Sequence, residues 1–262
     1  MKLTLQKTLE NAKKLHEAFQ KMTQETQDLF RGVQISEVFF IYATLGQNFQ
    51  ATQNKPLQQI IESGRALGQS TSLLAKIYPN MPIISVERDP NHKDAPVAVQ
   101  RLKKYPNIAC LFGDSRILLP QLTLPGDAIV IDGPKELRAL KLAIEMAQKK
   151  QPIAIFIHDC YKGSLIRKFM EKNVPHAFYS DHPQFVSQYA HLDHHQPKAF
   201  LNQWTDAENF PTEQSYAGTF GCIPQASGFP STALKAKRTF ARIKENILKT
   251  LGVSSVTNTP AS

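Results

Sequence analysis

Residues 60–75 read IIESGRALGQSTSLLA. An apolar run closes on an acid, Glu62; Gly64 and Gly68 follow; Ser70 and Thr71 then open a stretch whose apolar residues return at helical spacing. Strand, turn and helix start in that order make a cradle of the nucleotide-binding type. Glycine allows a tight turn and close ligand approach, and a helix amino terminus offers unpaired N–H groups. The spacing alone is unspecific, because the segment has neither the Lys-Ser/Thr of a phosphate-binding P-loop nor a G-x-G-x-x-G triplet.

The surrounding sequence supplies the context. Five short apolar runs follow one another at Leu57–Glu62, Pro82–Glu87, Asn107–Phe112, Ala128–Asp132 and Ile153–His158. Helical patterns separate them at Ser70–Tyr78, Asp94–Lys104, Ser115–Leu122 and Lys135–Lys150. Such alternation builds a parallel sheet covered by crossover helices. Right-handed crossovers then give an α/β fold with a doubly wound, Rossmann-like, mostly parallel sheet, whose ligand crevice lies at the carboxyl ends of the strands. A further helix, Ser164–Lys172, precedes two last apolar runs at Ala177–Ser180 and Tyr216–Ile223. The polar stretch between them, Asp181–Gln214, is too long for an ordinary connector and is expected to be a functional loop or to contain further structure.

The flanks read as helical. From Leu3 to about Phe40, Leu5, Leu9, Leu15, Phe19, Leu29 and Phe30 recur among Lys, Glu and Gln, with residues 41–57 as a connecting segment. This amino-terminal extension either forms a lid over a substrate pocket or covers the sheet. Ser231–Leu251 reads as a basic amphipathic helix carrying Leu234, Phe240, Ile243, Ile247 and Leu251 on one side. The expected organisation is thus a helical extension (1–50), an α/β domain (56–225), a basic carboxyl-terminal helix (231–251) and a flexible Ser/Thr tail (252–262).

Composition narrows the class. With 262 residues and 42% hydrophobic content the chain can bury a full core. Cys110, Cys160 and Cys222 are too few and scattered for a disulfide framework or a CxxC-type zinc site, which suits a reducing compartment. No signal-peptide pattern and no apolar run of roughly 20 residues occurs, so a cytoplasmic location is expected. The net charge of +9 favours encounter with anionic partners, and the carboxyl-terminal helix either packs against the body or contacts an acidic surface or membrane face. Zinc-finger spacing and aromatic RNA-binding signatures are absent, so there is no strong nucleic-acid signature.

Two further strings sharpen the ligand. In ISVERDP (84–90), Glu87 ends the second run about twenty residues on, where an acid can accept hydrogen bonds from ribose hydroxyls. In CLFGDSR (110–116), Asp114 and Ser115 follow the third run, where a carboxylate can accept a bond from an adenine amino group. In this order the acids favour an adenosine ligand.

The linked set ESGRALGQS, SVERDP, FGDSR, AIVIDGPK and IFIHDC resembles the class I S-adenosylmethionine-dependent methyltransferases, and more narrowly the bacterial small-molecule, cephalosporin hydroxylase-like group, over about Leu57–Gly163. The resemblance implies that Glu62, Gly64 and Gly68 flank the methionine part of S-adenosylmethionine. It also implies that Glu87 binds ribose, that Asp114 with Ser115 addresses adenine, and that Asp132 lies near the sulfonium. The implied activity is methyl transfer to a small-molecule acceptor, with oxygen the favoured acceptor atom. The chain departs from the pattern where Arg65 and Leu67 occupy the turn and where Pro134 and Lys135 replace an Asp-His pair.

Asp132, Lys135 and Asp159 are also similar to the metal-dependent catechol-type O-methyltransferases. That likeness implies a divalent metal, magnesium, on Asp132 and Asp159, with Lys135 as the general base. Cys160 stands where that family has Asn. As a base, Lys135 would need its pKa lowered by burial or a neighbouring cation. HLDHH (191–195), with His191, Asp193, His194 and His195, is either part of an acceptor pocket or a solvated loop, and His158 is similarly ambiguous. Two other functions compete. One is a nicotinamide-dependent oxidoreductase, weakened by the missing G-x-G-x-x-G; the other is a noncatalytic interaction protein on the same fold, suggested by the motif departures and terminal helices.

Overall fold

Two helices come first, α1 (Leu5–Thr23) and α2 (Ile35–Leu45). The alternating part follows as β1 (Ile60–Ser63), α3 (Gln69–Ile77), β2 (Ile83–Glu87), α4 (Ala95–Leu102), β3 (Ile108–Phe112), α5 (Ser115–Leu122), β4 (Ala128–Ile131), α6 (Glu136–Lys149) and β5 (Ala154–Ile157). Then come α7 (Leu165–Asn173), β6 (Phe178–Tyr179), α8 (Pro183–Tyr189), a 3-10 turn (Ala190–Asp193) and β7 (Gly221–Pro224). The structure, a computed structural model, describes residues 3–24, 33–46, 57–193 and 219–224. The basic helix at 231–251, the tail, Leu29, Phe30, His194, His195 and the remainder of Asp181–Gln214 lie outside the described residues.

The seven strands lie in the order β3-β2-β1-β4-β5-β7-β6. The first five are parallel, and β7 runs antiparallel to both β5 and β6. Every residue of β1, β4 and β5 is buried, as expected for strands covered on both faces, whereas β3 at the edge is half exposed. The chain order reverses between β1 and β4, and a doubly wound sheet opens its ligand crevice at such a switch point. Among the described residues no helix is long and apolar enough to cross a membrane.

The amino-terminal helices belong to the core. Thr4 caps α1 by accepting from the Lys7 N–H, and Leu9, Ala12, Leu15 and Phe19 form its buried stripe. Almost all of α2 is buried, because it packs between α1 and the sheet. Phe40 meets Phe156 of β5 and Phe178 of β6 edge-on, and Phe39 lies 4.7 Å from Phe19. Each buried Phe contributes roughly 1.5–3 kcal/mol. Residues 41–45, expected as connector, instead form the last turns of α2. A helix that is apolar all round carries no one-sided stripe for periodicity to reveal. Similarly, the polar stretch after Asp181 contains α8, which packs Phe185 and Tyr189 against Phe39.

Candidate active site at the β1–β4 switch point

Glu62, Glu87, Asp114 and Asp132 all stand at the carboxyl ends of four adjacent strands, β1, β2, β3 and β4. Their side chains are engaged differently. Glu62 is fully buried; one oxygen accepts from Ser70 Oγ, and the other from Thr71 Oγ1 and from Ser85 Oγ at 3.2 Å. Burial pushes its carboxyl up, against the hydroxyls' opposing pull. Glu62 therefore ties the start of α3 to β1 and β2. Glu87 accepts from the Ala66 N–H at 3.0 Å and from the Arg88 N–H at 2.7 Å, one bond per oxygen. Asp114 caps α5, accepting from the Arg116 N–H at 2.9 Å, and pairs with the Arg116 guanidinium, whose hydrogen bonds hold the carboxyl down at about 2.

The glycine turn is built for close backbone approach. Gly64 has φ +90°, and a Cβ there would lie 2.6 Å from the Gly133 nitrogen and 2.7 Å from the Asp132 carbonyl carbon. The loops after β1 and β4 thus touch backbone to backbone. Asp132 N–H and Gly133 N–H both donate to the Ser63 carbonyl, at 2.8 and 2.9 Å. Ser63 and Ser115 hydroxyls both donate to the Gly133 carbonyl, which gathers the loops after β1, β3 and β4 at one point. Gly68, at φ +74°, packs against Leu102 of α4. Ala66, Glu136 and Asp159 also adopt positive φ on this rim. Left-handed conformations of non-glycine residues cost about 1–3 kcal/mol each and cluster at functional sites.

Arg65 is the surprise of the turn. Its side chain is fully buried; Nη1 donates to the Ser85 carbonyl at 2.8 Å and the guanidinium lies 4.6 Å from the Phe112 ring centre. Nε and Nη2 have no hydrogen-bond partner among the described residues. Sequence reading registered Arg65 only as a departure from a glycine triplet, because an arginine in a turn ordinarily faces solvent.

Past β4, a charge network extends away from the glycine turn. His158, buried at the end of β5, brings Nδ1 within 2.6 Å of Asp132 Oδ1 and 3.2 Å of Asp159 Oδ1, while Nε2 lies 3.3 Å from Glu37 Oε2. The Asp132 contact is a close ion pair whose geometry falls short of a hydrogen bond. Burial pulls the imidazole pKa down, but Asp132 and Glu37 outweigh burial and raise it well above the ordinary histidine value. Burial likewise pushes Asp132 up, but His158 and Lys135 hold its carboxyl well below the usual range. Lys135 pairs with Asp132 and, at 2.9 Å, with Asp159.

The carboxylates raise the Lys135 pKa despite partial desolvation, the opposite of what a base needs at neutral pH. The magnesium site does not fit either. Asp132, His158 and Asp159 each place a donor within 4.8 Å of the others, but magnesium favours an oxygen shell and these carboxylates already face two cations. Cys160, where a third oxygen ligand was looked for, turns inward against Met170 and Gly221, its thiol pushed up to about 12 by burial. No step through a metal is derived.

Glu37, two strands' width from the glycine turn and far off in sequence, was missed. Its only sequence signal is Gln34-x-x-Glu37, the spacing of a capping box, and Glu37 does accept from the Gln34 N–H at 2.8 Å. His191 packs on α1, its ring 5.1 Å from that of His16, and Asp193 accepts from the Ser36 N–H and hydroxyl. Both pin the end of α8 to the amino-terminal helices.

Asp193 has a measurable consequence. Burial raises its carboxyl to about 6 against the pull of Ser36. A raised folded pKa stabilises below the unfolded value, near 4, and that contribution disappears as pH rises through about 6. Asp193→Asn should therefore flatten the decline in stability between pH 4 and 6.5, by at most roughly 3 kcal/mol. Urea denaturation across that range checks it; parallel pH profiles for the two proteins would contradict the assignment.

No family model matches the sequence, and no curated protein matches it. Solved structures do. The O-methyltransferase TomG from Streptomyces achromogenes, solved with S-adenosylmethionine, is 17% identical over 81% of this chain and 89% of its own, with a TM-score of 0.44. The precorrin-6y C5,15-methyltransferase of Geobacter metallireducens is 17% identical over 47% of this chain, with a TM-score of 0.37. Fibrillarin from Aeropyrum pernix, with natively bound S-adenosyl-L-methionine, is 18% identical over 45%, also at 0.37. The chain spans less than two thirds of these last two proteins, 65% and 55%. The strand order and the single antiparallel strand on an otherwise parallel run describe a Rossmann-like α/β fold.

Proposed function

We propose that the chain is an S-adenosylmethionine-dependent methyltransferase acting at oxygen on a small-molecule acceptor. The observation that carries this reading is the meeting of Gly64 and Gly133 at the switch point, with Glu87, Asp114 with Ser115, and Asp132 ranged along the same rim. When bound, S-adenosylmethionine supplies an electrophilic methyl group.

The chain's own residues do the rest. The close contact that Gly64 makes with Gly133 would set the loops after β1 and β4 that flank the methionine part, beside Gly68 at the start of α3. Glu87 keeps lone pairs free on both oxygens for ribose hydroxyls, because each oxygen receives only one N–H. Asp132, held ionised, would balance the positive charge of the sulfonium. Methyl transfer is an in-line displacement, so alignment supplies much of the rate. Lys135, half exposed and charged, stabilises the oxygen of the acceptor as its proton leaves to the adjoining Asp159 carboxylate.

Isothermal titration tests the reading. S-adenosylhomocysteine should bind at micromolar concentration, and Glu87→Ala should weaken it by about tenfold or more, as for lost hydrogen bonds to a charged group. Absence of binding at millimolar ligand, or stronger thermal stabilisation by NAD than by S-adenosylhomocysteine, would reject it.

A further inference from the structure

A second recess opens on the same rim, beyond His158. The amino-terminal turn of α2 (Ser36, Glu37), the end of β6 (Ser180, Asp181) and one side of α8 (Phe185, Val186) line a small recess, partly open to solvent, with room for about one water-sized group. Because β7 is antiparallel to both β5 and β6, β6 points the same way as β5, so Ser180 and Asp181 lie at the carboxyl-end rim that carries Asp132. The inner end accommodates a group the size of a water molecule or an ammonium.

Glu37 gives the recess its chemistry. It is 1% exposed. Oε2 receives the Gln34 N–H and faces His158 Nε2, whereas Oε1 is buried with no hydrogen-bond partner among the described residues. A buried carboxylate oxygen left unpaired costs about 1–3 kcal/mol or more, so this atom is poised for a donor. The charges around it favour a positive one. Asp181 already shares Arg167 with Glu171, at 2.9 and 2.6 Å, and His158 is shared among Glu37, Asp132 and Asp159. Asp193, whose charge also acts on Glu37, accepts hydrogen bonds from Ser36 and the Ile35 backbone. Carboxylates outnumber cations throughout. Phe185 and Val186 supply an apolar wall for the carbon bearing the donor.

We propose that this recess binds a protonated primary amine of the methyl acceptor, anchored by Glu37 Oε1, so that the acceptor is a small amine-bearing alcohol or phenol. The inference rests on the methyl-transfer reading for the word acceptor, but the amine site stands or falls by itself. Glu37 is a specificity residue, one imidazole away from Asp132, and α1 with α2 thereby complete the site.

The test titrates the full chain with ethylammonium and with its neutral counterpart propan-1-ol, each with and without saturating S-adenosylhomocysteine, by calorimetry and NMR. Ethylammonium should bind in the millimolar range and propan-1-ol at least tenfold more weakly. Glu37→Gln should weaken ethylammonium at least tenfold, and Val186→Phe, which fills the recess while keeping the Glu37 carboxylate, should do the same; both should leave S-adenosylhomocysteine affinity within twofold. Equal binding of alcohol and ammonium, ammonium binding untouched by Val186→Phe, or no ammonium binding in a chain that binds S-adenosylhomocysteine would overturn the proposal, the last meaning that the recess holds only water. Ammonium binding in a chain that ignores S-adenosylhomocysteine would instead reject the methyl-transfer reading and keep the amine site.

Discussion

Gly64→Ala should destabilise the protein by about 3 kcal/mol or more and weaken S-adenosylhomocysteine binding at least tenfold. Two costs add. The backbone at φ +90° disfavours any L side chain, by roughly 1–2 kcal/mol. The new Cβ would also sit 2.6–2.7 Å from backbone atoms of Gly133 and Asp132, which cannot escape by changing rotamer. The loop after β1 must therefore withdraw from the loop after β4, opening the crevice that the cofactor is proposed to fill. Gly163 provides the control, since it has φ +92° with nothing within 4 Å of its Cβ position. Gly163→Ala should show the conformational cost alone, near 1 kcal/mol. Denaturant midpoints with calorimetric titration compare the two, and equal losses at both positions would dismiss the close approach as the reason for Gly64.

His158→Ala should cost about 3–5 kcal/mol, because it leaves the buried Glu37 without its cation and Asp132 with Lys135 alone. Glu37 and Asp132 face opposite nitrogens of one ring, so each loses its main compensating charge. The effect should be coupled: Glu37→Gln added to His158→Ala should cost less than the two single changes together, by at least about 1 kcal/mol. It should also depend on pH. A histidine with a raised folded pKa contributes fully below its unfolded value, near 6.5, and loses the contribution as pH rises through the folded value. Asp132, with its pKa lowered, contributes above about 4 and fails as pH falls through its folded value. The penalty of His158→Ala should thus be largest between about pH 4 and 6.5 and shrink in alkali. A penalty below 0.5 kcal/mol at pH 6 would show that the network carries no stability.

The strands were legible because a buried parallel sheet writes itself as short apolar runs, each closing on a polar residue at the rim. Predicted and observed bounds for β2 to β5 differ by at most one residue at either end. The first run began three residues early at Leu57, which is buried without being in a strand. Helix α5 was read residue for residue from Ser115 to Leu122, its start signalled by the capping carboxylate of Asp114. In contrast, the end of α2 and all of α8 escaped, since one is apolar on every side and the other is a seven-residue helix in polar surroundings.

What the chain order of residues determined alone was which chemistry reaches the rim: acids after four successive strands, glycine where two loops must touch, and a lysine three residues past Asp132. These are local facts, set by strand ends and turn geometry. What only tertiary structure decided was how each group is employed. Glu62 spends its carboxylate on hydroxyls of α3 and β2, Lys135 is held charged between two carboxylates, Cys160 turns inward, and Glu37 arrives beside His158 from 121 residues away. Charge state and partnership depend on burial and on distance through space, and neither quantity is written in the spacing of residues along a chain.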